Sequence, residues 1–454
     1  MASNFGPGTF RKGVHPNEAK ELTESIAIEV FPTPAELRIP MDQHIGVPCK
    51  PCVKAKETVT FGQQIGAVER GLAAPIFASL PGTIKRIGAA THSFGHRSVS
   101  VTISVNREIF SSEELFDSFC SRPTYDIHRI SEDEIREKIL AAGVVGQGGA
   151  AFPTAVKLTR NPNKPIDTLL VNGCECEPYL TADHRCMLEM SWHVLAGAKL
   201  AAKAVGAKRI LICIEDNKPF AIQRMNEVID EDKGDKVDIA VMVLKTKYPQ
   251  GGEKQLIYAA LGRKVPIGAL PMDVGTTVVN IGTTISITRA VLFDEPVTHR
   301  VVTITGGGVV RPSNLFVPIG ALIHEVIAHC GGLNDKAVRV ISGGPMMGCA
   351  IGGLDIPVTK GTSGITVLSA EEVNRAKETN CVKCGRCVSV CPMGLIPTRI
   401  ALAVRAKNWE LMEKYHPMAC IECGCCSFAC PAGLPLVHLI RVGKAELKRK
   451  KSKK

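Results

Sequence analysis

Hydrophobic and polar positions change their period three times along the 454 residues. Between residues 26 and 105 the apolar positions fall in short β-prone runs, Ile26–Phe31, Glu36–Ile39, Glu57–Phe61, Gly82–Ile87 and Ser98–Val105, separated by Pro and Gly. Short runs bounded by turn formers predict a small all-β domain. A Ser/Glu-rich connector, about residues 106–130, follows. Ser131-Glu132-Asp133-Glu134 then reads as a capping box opening a helix through Ala142, in which hydroxyl and carboxylate each serve a free backbone N–H. Beyond a glycine loop, strands at Thr168–Asn172, Arg209–Ile214 and Val237–Leu244 alternate with helices near residues 186–205 and 218–230. That alternation predicts an α/β domain with parallel strands. Residues 297–368 return to β patterning, at His299–Thr305, Ala337–Ser342 and Ile365–Leu368, around a helical stretch Ile319–Cys330, which predicts a compact α+β domain. From Glu371 the pattern is helical and interrupted by cysteines. The chain divides at these changes into residues 1–110, 131–290, 297–368, 371–445 and a tail, 446–454.

Composition narrows the class. With 45% hydrophobic and 5% aromatic residues, 42 Gly and 28 Pro, the profile is that of a globular protein rich in turns. The longest apolar stretch, residues 275–293, is broken by Thr283, Thr284, Thr288 and Arg289. No run reaches the roughly 18–20 clean apolar residues of a membrane span. The first residues show no basic segment followed by an apolar one, so no signal peptide is expected. The formal charge is +11, and six positive charges lie between Lys448 and Lys454. No aromatic-interleaved basic surface accompanies them, which argues against a nucleic-acid partner. The tail reads as a solvated end or as a contact for an anionic membrane surface.

Cysteine placement carries the strongest chemistry. Of 18 cysteines, nine fall in residues 381–430. Cys381-x₂-Cys384-x₂-Cys387-x₃-Cys391-Pro392 is matched by Cys420-x₂-Cys423-x₂-Cys426-x₃-Cys430-Pro431. Three thiolates at this spacing wrap one cubane, and the fourth, next to the proline, ligates the other cluster. The expected ligand sets are Cys381, Cys384, Cys387 and Cys430 for one [4Fe–4S] cluster, and Cys420, Cys423, Cys426 and Cys391 for a second. Zinc takes four thiolates from two C-x₂-C knuckles rather than two runs of four ending in Cys-Pro. Cys425 is surplus. Cys49-Lys50-Pro51-Cys52 has no partner cysteines nearby and reads as two thiols beside a turn; His15 and His44 read as structural.

The stretch 141–158, AAGVVGQGGAAFPTAVKL, follows a helix rather than a strand, so it is not a Rossmann fingerprint. Taken alone it fits either a packing turn or a phosphate cradle, with Pro153 opening a helix and Lys157 adding charge. It resembles the loop of the flavin- and NADH-binding subunit of respiratory complex I. Asn172-Gly173-Cys174-Glu175-Cys176-Glu177-Pro178, with Asp183 beyond it, is similar to that family's Asn-x-Asp-Glu-x-Glu-Pro segment. Tyr248-Pro249-Gln250-Gly251-Gly252-Glu253 resembles its Tyr-x-x-Gly-Glu-Glu, and Asn280-Ile281-Gly282-Thr283 its Asn-Val-Glu-Thr. The resemblance implies a pocket for FMN and NAD(H) made by Gly146, Gly148, Gly149, Phe152, Lys157, Asn172, Glu175, Glu253, Asn280 and Thr283, with Glu175 and Glu177 as catalytic carboxylates. Four positions depart from it: Gln147 for Arg, Cys174 for Asp, Gly252 for Glu and Gly282 for Glu.

The order of segments resembles the RnfC components of Rnf complexes, membrane-bound ferredoxin:NAD+ oxidoreductases. Thr9–Pro16, Gln43–Pro48 and Ala74–Thr83 resemble that family's opening and its biotinyl/lipoyl-like β-sandwich, and residues 297–368 its soluble-ligand-binding (SLBB) β-grasp domain. A covalent carrier role needs a Lys at a hairpin tip, and Ala74–Gly82 has none. The implied fold is multidomain, α/β and α+β: β-sandwich, α/β flavin/NADH domain, β-grasp, and a helical two-cluster ferredoxin-like domain. The implied activity is electron transfer between NAD(H), FMN and two [4Fe–4S] clusters on the cytoplasmic face of a membrane. The implied partners are integral membrane and iron–sulfur subunits, and ferredoxin indirectly. A soluble flavin/iron–sulfur reductase, such as a cobalamin reductase, and a pure iron–sulfur relay are the alternatives.

Overall fold

The computed structural model describes residues 6–92, 95–232, 237–374 and 377–451. The N-terminal sandwich faces a four-stranded antiparallel sheet, in the order Glu36–Pro40, Arg97–Val105, Gly82–Thr91 and Thr58–Val59, against a three-stranded one of Lys50–Pro51, Gln64–Ala67 and Ile76–Phe77. Leu37, Ile39, Val59, Ile65, Ile84, Val101 and Ile103 fill the space between and are almost wholly buried. Their apolar core continues without a break into that of the β-grasp domain.

One expected strand belongs elsewhere. Ile28–Val30 does not join the sandwich but pairs in parallel with Asn314–Phe316 of the β-grasp sheet. That sheet has six strands, in the order Ile28–Val30, Ser313–Pro318, His299–Thr305, Gly364–Ser369, Ala337–Ser342 and Cys349–Ala350. The strand Ser313–Pro318 was not expected, and the helix behind it is shorter than its apolar run, Ile323–His329, because residues 319–322 are drawn into a turn. The 106–130 connector also holds a helix, Ser112–Cys120, N-capped by Ser111.

The central domain carries a parallel sheet ordered Asp238–Leu244, Arg209–Glu215, Thr168–Gly173, Thr276–Asn280. Alternate residues feed two separate cores: Leu169, Val171, Ile210, Ile212 and Val279 on one face, Leu170, Leu211, Cys213 and Val278 on the other. Burial of both faces explains why these strands read as continuous apolar runs. The expected helix 186–205 is two helices, Ala182–Glu189 and Ser191–Val205, broken at Met190. From Thr168–Gly173 the next two strands in sequence spread one way, and the fourth lies on its other side. Such a reversal opens a crevice at the carboxyl ends of the strands.

The C-terminal module packs the helices Pro397–Arg405, Trp409–Lys414 and Leu436–Lys451 around Ile400, Val404, Met412 and Ile440. The last helix runs on through Lys448–Lys451, where a solvated end was expected, and Lys450 Nζ sits 5.4 Å from the centre of the Trp409 ring. Residues 452–454 of the basic tail lie outside the described residues.

Candidate functional site

Asn172 and Asn280 end adjacent parallel strands and stand opposite each other in register, at the switch point of the central sheet. Asn172 Nδ2 donates to Gly251 O at 2.9 Å and its Oδ1 accepts from Cys174 N. Asn280 Nδ2 donates to Asp183 Oδ2 at 2.6 Å, and its Oδ1 caps the helix Ile281–Leu292 through Gly282 N. Burial pushes the Asp183 carboxyl up to about 7, with the Glu175 charge adding to the shift.

The glycine loop hangs over these two asparagines. Val145 bridges to Pro153 and Gly146 N donates to Phe152 O at 2.8 Å, so residues 146–152 form a closed loop. Gln147 N donates to Thr283 Oγ1 at 3.0 Å. Gly148 and Gly149 are exposed. A Cβ on Gly148 would come within 2.7–2.9 Å of the Asn280 side chain, whereas a Cβ on Gly149 would meet nothing within 4 Å. A loop with free backbone, beside two strand-end amides and open space, fits a phosphate-bearing planar cofactor. Phe152 is half-buried at the end of the loop. Behind it the helix Thr154–Lys157 is a single turn, and Lys157 Nζ pairs with Glu253 Oε1 at 2.7 Å.

The two expected catalytic carboxylates are both engaged. Glu175 accepts from Asp183 N at 2.7 Å and His184 N at 3.1 Å, capping the helix Ala182–Glu189. Glu177 accepts from Met346 N at 3.2 Å and Met347 N at 2.7 Å, in the β-grasp domain, and burial raises its carboxyl to about 7. Two residues missed in the sequence hold this region. Buried Lys20 donates to the carbonyls of Glu175, Glu177 and Leu180 at 2.6–3.0 Å. Arg300 reaches from the β-grasp domain to Lys360 O and Gln147 O, at 2.8 and 3.4 Å. Neither lies in a motif, so no local signal marks them.

The departures from the complex I pattern are absorbed by the fold. Gln147 turns inward and donates to Ser286 Oγ at 2.7 Å. Its Oε1 fills the space a side chain at Gly282 would need, 2.6 Å from the Cβ position, so the two substitutions belong together. Cys174 is fully buried against the neighbouring strand. Gly252 N-caps the helix Glu253–Leu261.

The two cysteine runs fold alike. Lys383 N donates to Cys381 Sγ at 3.4 Å, and Glu422 N to Cys420 Sγ at 3.3 Å. Lys383 and Glu422 are left-handed, as are Gly385 and Gly424, and a one-turn helix follows each glycine. The fourth cysteine of the first run sits beside the second turn. Cys391 lines a cleft with Cys420, Cys423 and Cys426, and Leu395 N donates to its Sγ. Cys430 packs in an apolar group that holds Cys381, Cys387 and Cys426. Cys384 is exposed. Among the described residues no three His, Cys, Asp or Glu side chains are gathered at the spacing of a single metal ion. A cubane sets its four thiolates on four separate irons and requires no such trio. Amide-to-sulfur bonds in both turns and the seat of Cys391 beside the second turn fit two cubanes. Cys425 also borders the cleft, with Sγ 4.0 Å from Tyr248 O. Cys49 is buried, its Sγ 3.7 Å from His44 Nε2, while Cys52 is exposed.

Comparison with known proteins covers nearly the whole chain. Residues 8–108 match the RnfC barrel sandwich hybrid domain, 139–289 the Nuo51 FMN-binding domain, 301–350 the SLBB domain and 380–434 the 4Fe-4S dicluster domain. The chain is 42% identical to the RnfC component of the Na+-translocating ferredoxin:NAD+ oxidoreductase complex of Acetobacterium woodii, over 98% of both chains. The chain belongs to the RnfC family. It is 41% identical to the proton-translocating counterpart from Clostridium ljungdahlii, over 87% of this chain and 84% of the relative. The RnfC component of the ion-translocating oxidoreductase complex of Rhodobacter capsulatus is 40% identical, over 98% of this chain and 84% of its own. A chain of the NAD+-reducing [NiFe]-hydrogenase in its H2-reduced state shares the fold at TM-score 0.52 and 19% identity, over 75% of this chain and 66% of that one. The RnfC fold thus joins an FMN-binding α/β domain, a β-sandwich, a β-grasp domain and a dicluster ferredoxin domain in one chain.

Proposed function

We propose that this chain is the NAD(H)-side electron-transfer subunit of a membrane-bound, ion-translocating ferredoxin:NAD+ oxidoreductase. FMN, when bound, exchanges a hydride with NAD(H) and single electrons with iron–sulfur clusters. The chain's own residues do the rest. The backbone of Gly148 and Gly149 would receive the flavin phosphate, in a loop that Gly146 closes through Phe152 O, with Lys157 supplying positive charge. Asn172, Asn280 and Thr283 hold the floor of the crevice, and Phe152 and Glu253 border the nucleotide. Glu175 and Glu177 fix the loop beside which a nicotinamide would bind. Cys381, Cys384, Cys387 and Cys430 ligate one [4Fe–4S] cluster, and Cys391, Cys420, Cys423 and Cys426 the other.

One observation carries the reading: the crevice and the second cysteine turn share a wall. The loop that begins at Asn172 reaches, through Glu177, the backbone of Met346, and a Cβ on Gly424 would lie 2.6 Å from Met346 O. That shared wall supports an electron path between a cofactor bound in the crevice and the Cys420–Cys426 turn.

Partners and place follow from chemistry. Among the described residues no helix is long and apolar enough to cross a membrane. Ion transport is therefore assigned to integral membrane subunits, with iron–sulfur subunits relaying electrons from ferredoxin. The basic last helix and tail favour an anionic, cytoplasmic membrane face. Anaerobic purification tests the whole: stoichiometric FMN, NADH-dependent bleaching of the cluster absorbance, and recovery with integral membrane proteins are expected. Protein without flavin and without NADH-dependent bleaching would overturn it.

A further inference from the structure

Tyr248 lies between the two cofactor sites and belongs to neither ligand set. Its ring is buried, and its hydroxyl donates to the carbonyl of Cys423 at 2.7 Å. Its backbone is locked by a two-way pairing with Val14, at 2.9 and 3.0 Å. Three residues further on, Gly251 accepts from Asn172 Nδ2 at 2.9 Å, and Gly251 N donates to Cys176 Sγ at 3.3 Å. The loop Tyr248–Gly251 thus touches a crevice-floor amide at one end and a cluster cysteine at the other. Val14, Tyr248, Cys423 and Cys425 form one apolar group, with Cys176, Met346 and Ile421 against it.

Among the described residues the Cys381–Cys387 turn has no such bridge. On it Cys387 is buried but Cys384 and Val382 are exposed, whereas Cys423 and Cys426 are both buried. A buried phenol is aimed at one cluster turn and not at the other.

We propose that Tyr248 is a positioning residue for electron transfer, fixing the Cys423 turn against the flavin crevice and tuning the cluster held there. The inference rests on the proposed function, since it presumes flavin and clusters in these sites. Two physical effects follow from the bond. The O–H dipole presents its positive end to the Cys423 peptide, which favours added negative charge on that cluster and raises its potential, as hydrogen bonding and exclusion of water do at such centres. The bond also holds the turn in place at a separation that sets the transfer rate. Tyr248→Phe removes the bond and keeps the ring, so a large rearrangement is not expected.

The experiment uses the full chain with flavin and clusters, purified anaerobically. Tyr248→Phe is expected to keep its iron and flavin. One of the two cluster signals in electron paramagnetic resonance should shift and titrate at lower potential, with the other unmoved. A lost hydrogen bond of ordinary net strength corresponds to about tenfold, and NADH-driven reduction of that cluster should slow by about that factor. Site-specific 3-fluorotyrosine at 248 provides a second test without loss of volume: a stronger donor should move the same signal to higher potential. Two unshifted signals and an unchanged reduction rate in either protein would overturn the inference. Wild-type protein lacking flavin or one cluster would instead overturn the proposed function, so the two failures are distinct.

Discussion

Lys157 Nζ lies 2.7 Å from Glu253 Oε1, across 96 residues of sequence, so the lysine of the glycine loop and the glutamate of the Tyr-Pro-Gln-Gly-Gly-Glu segment meet at the rim of one crevice. Both side chains are about a third exposed. An exposed pair of this kind is worth about 0–1 kcal/mol to the fold, so its presence argues for a role in binding rather than stability.

Lys157→Met should therefore lower flavin retention about tenfold, the scale of a hydrogen bond to a charged group, with the melting temperature hardly moved. Glu253→Gln leaves the lysine unpaired and should retain flavin at least as well as the wild type. Equilibrium dialysis of flavin against the two variants checks this. Equal loss in both would mean that the pair acts as a unit and the lysine does not meet the phosphate.

Much of this crevice was legible because its parts are local. Cysteine spacing is dictated by a turn of a few residues around a cubane, and Gly148 and Gly149 mark a backbone that something must approach closely. The long-range parts left no such mark. Ile28–Val30 crosses to pair with Asn314–Phe316, and nothing in its own pattern distinguishes that sheet from the sandwich next to it. Lys20 and Arg300 are buried cations whose partners are backbone carbonyls, which any sequence supplies. Met190 breaks an unbroken apolar period because His193 and Val194 start a new helix on its carbonyl.

The two loop glycines make different predictions. At Gly149 an added Cβ meets no heavy atom within 4 Å, so the fold and the iron content should survive Gly149→Val while flavin is displaced. At Gly148 even Gly148→Ala pushes on the Asn280 amide, so strand-end geometry and thermal stability should suffer as well. Flavin content, iron content and melting temperature of both variants separate the cases. Full flavin in Gly149→Val would mean that the open space above the loop is not the cofactor's.

Metal content follows from two complete sets of four cysteines. About eight iron and eight acid-labile sulfide per chain are expected. Cys425→Ser should keep that number, because its thiol faces Tyr248 O rather than completing a set. Cys423→Ser should lose the cluster of the second turn and the order of the helices packed on it. Four iron in the wild type, or stoichiometric zinc, would refute the assignment.

Lys360 supplies a prediction in pH. Its Nζ donates to Pro75 O and Gly143 O, each at 2.7 Å, at the junction of the sandwich, the central domain and the β-grasp domain. Burial pulls this amine down to about 7 from its usual 10.5. The folded chain therefore loses the proton near neutrality, whereas the unfolded chain keeps it until about pH 10.4. Between those values unfolding takes up a proton, so raising the pH favours the folded state through this group. Below neutrality both states carry the proton and the slope vanishes. The buried Cys49 thiol, pushed up by burial, works in the opposite direction at alkaline pH, and His44 is the other titratable neighbour. Both are retained in Lys360→Met, so what burial does to them cancels between the two proteins, and the difference reports the lysine together with its charge acting on them. The variant should melt lower, and the gap in melting temperature should widen from pH 7 to pH 9.5, by thermal denaturation in matched buffers. A gap that stays constant over that range would mean that the amine remains charged against its two carbonyls.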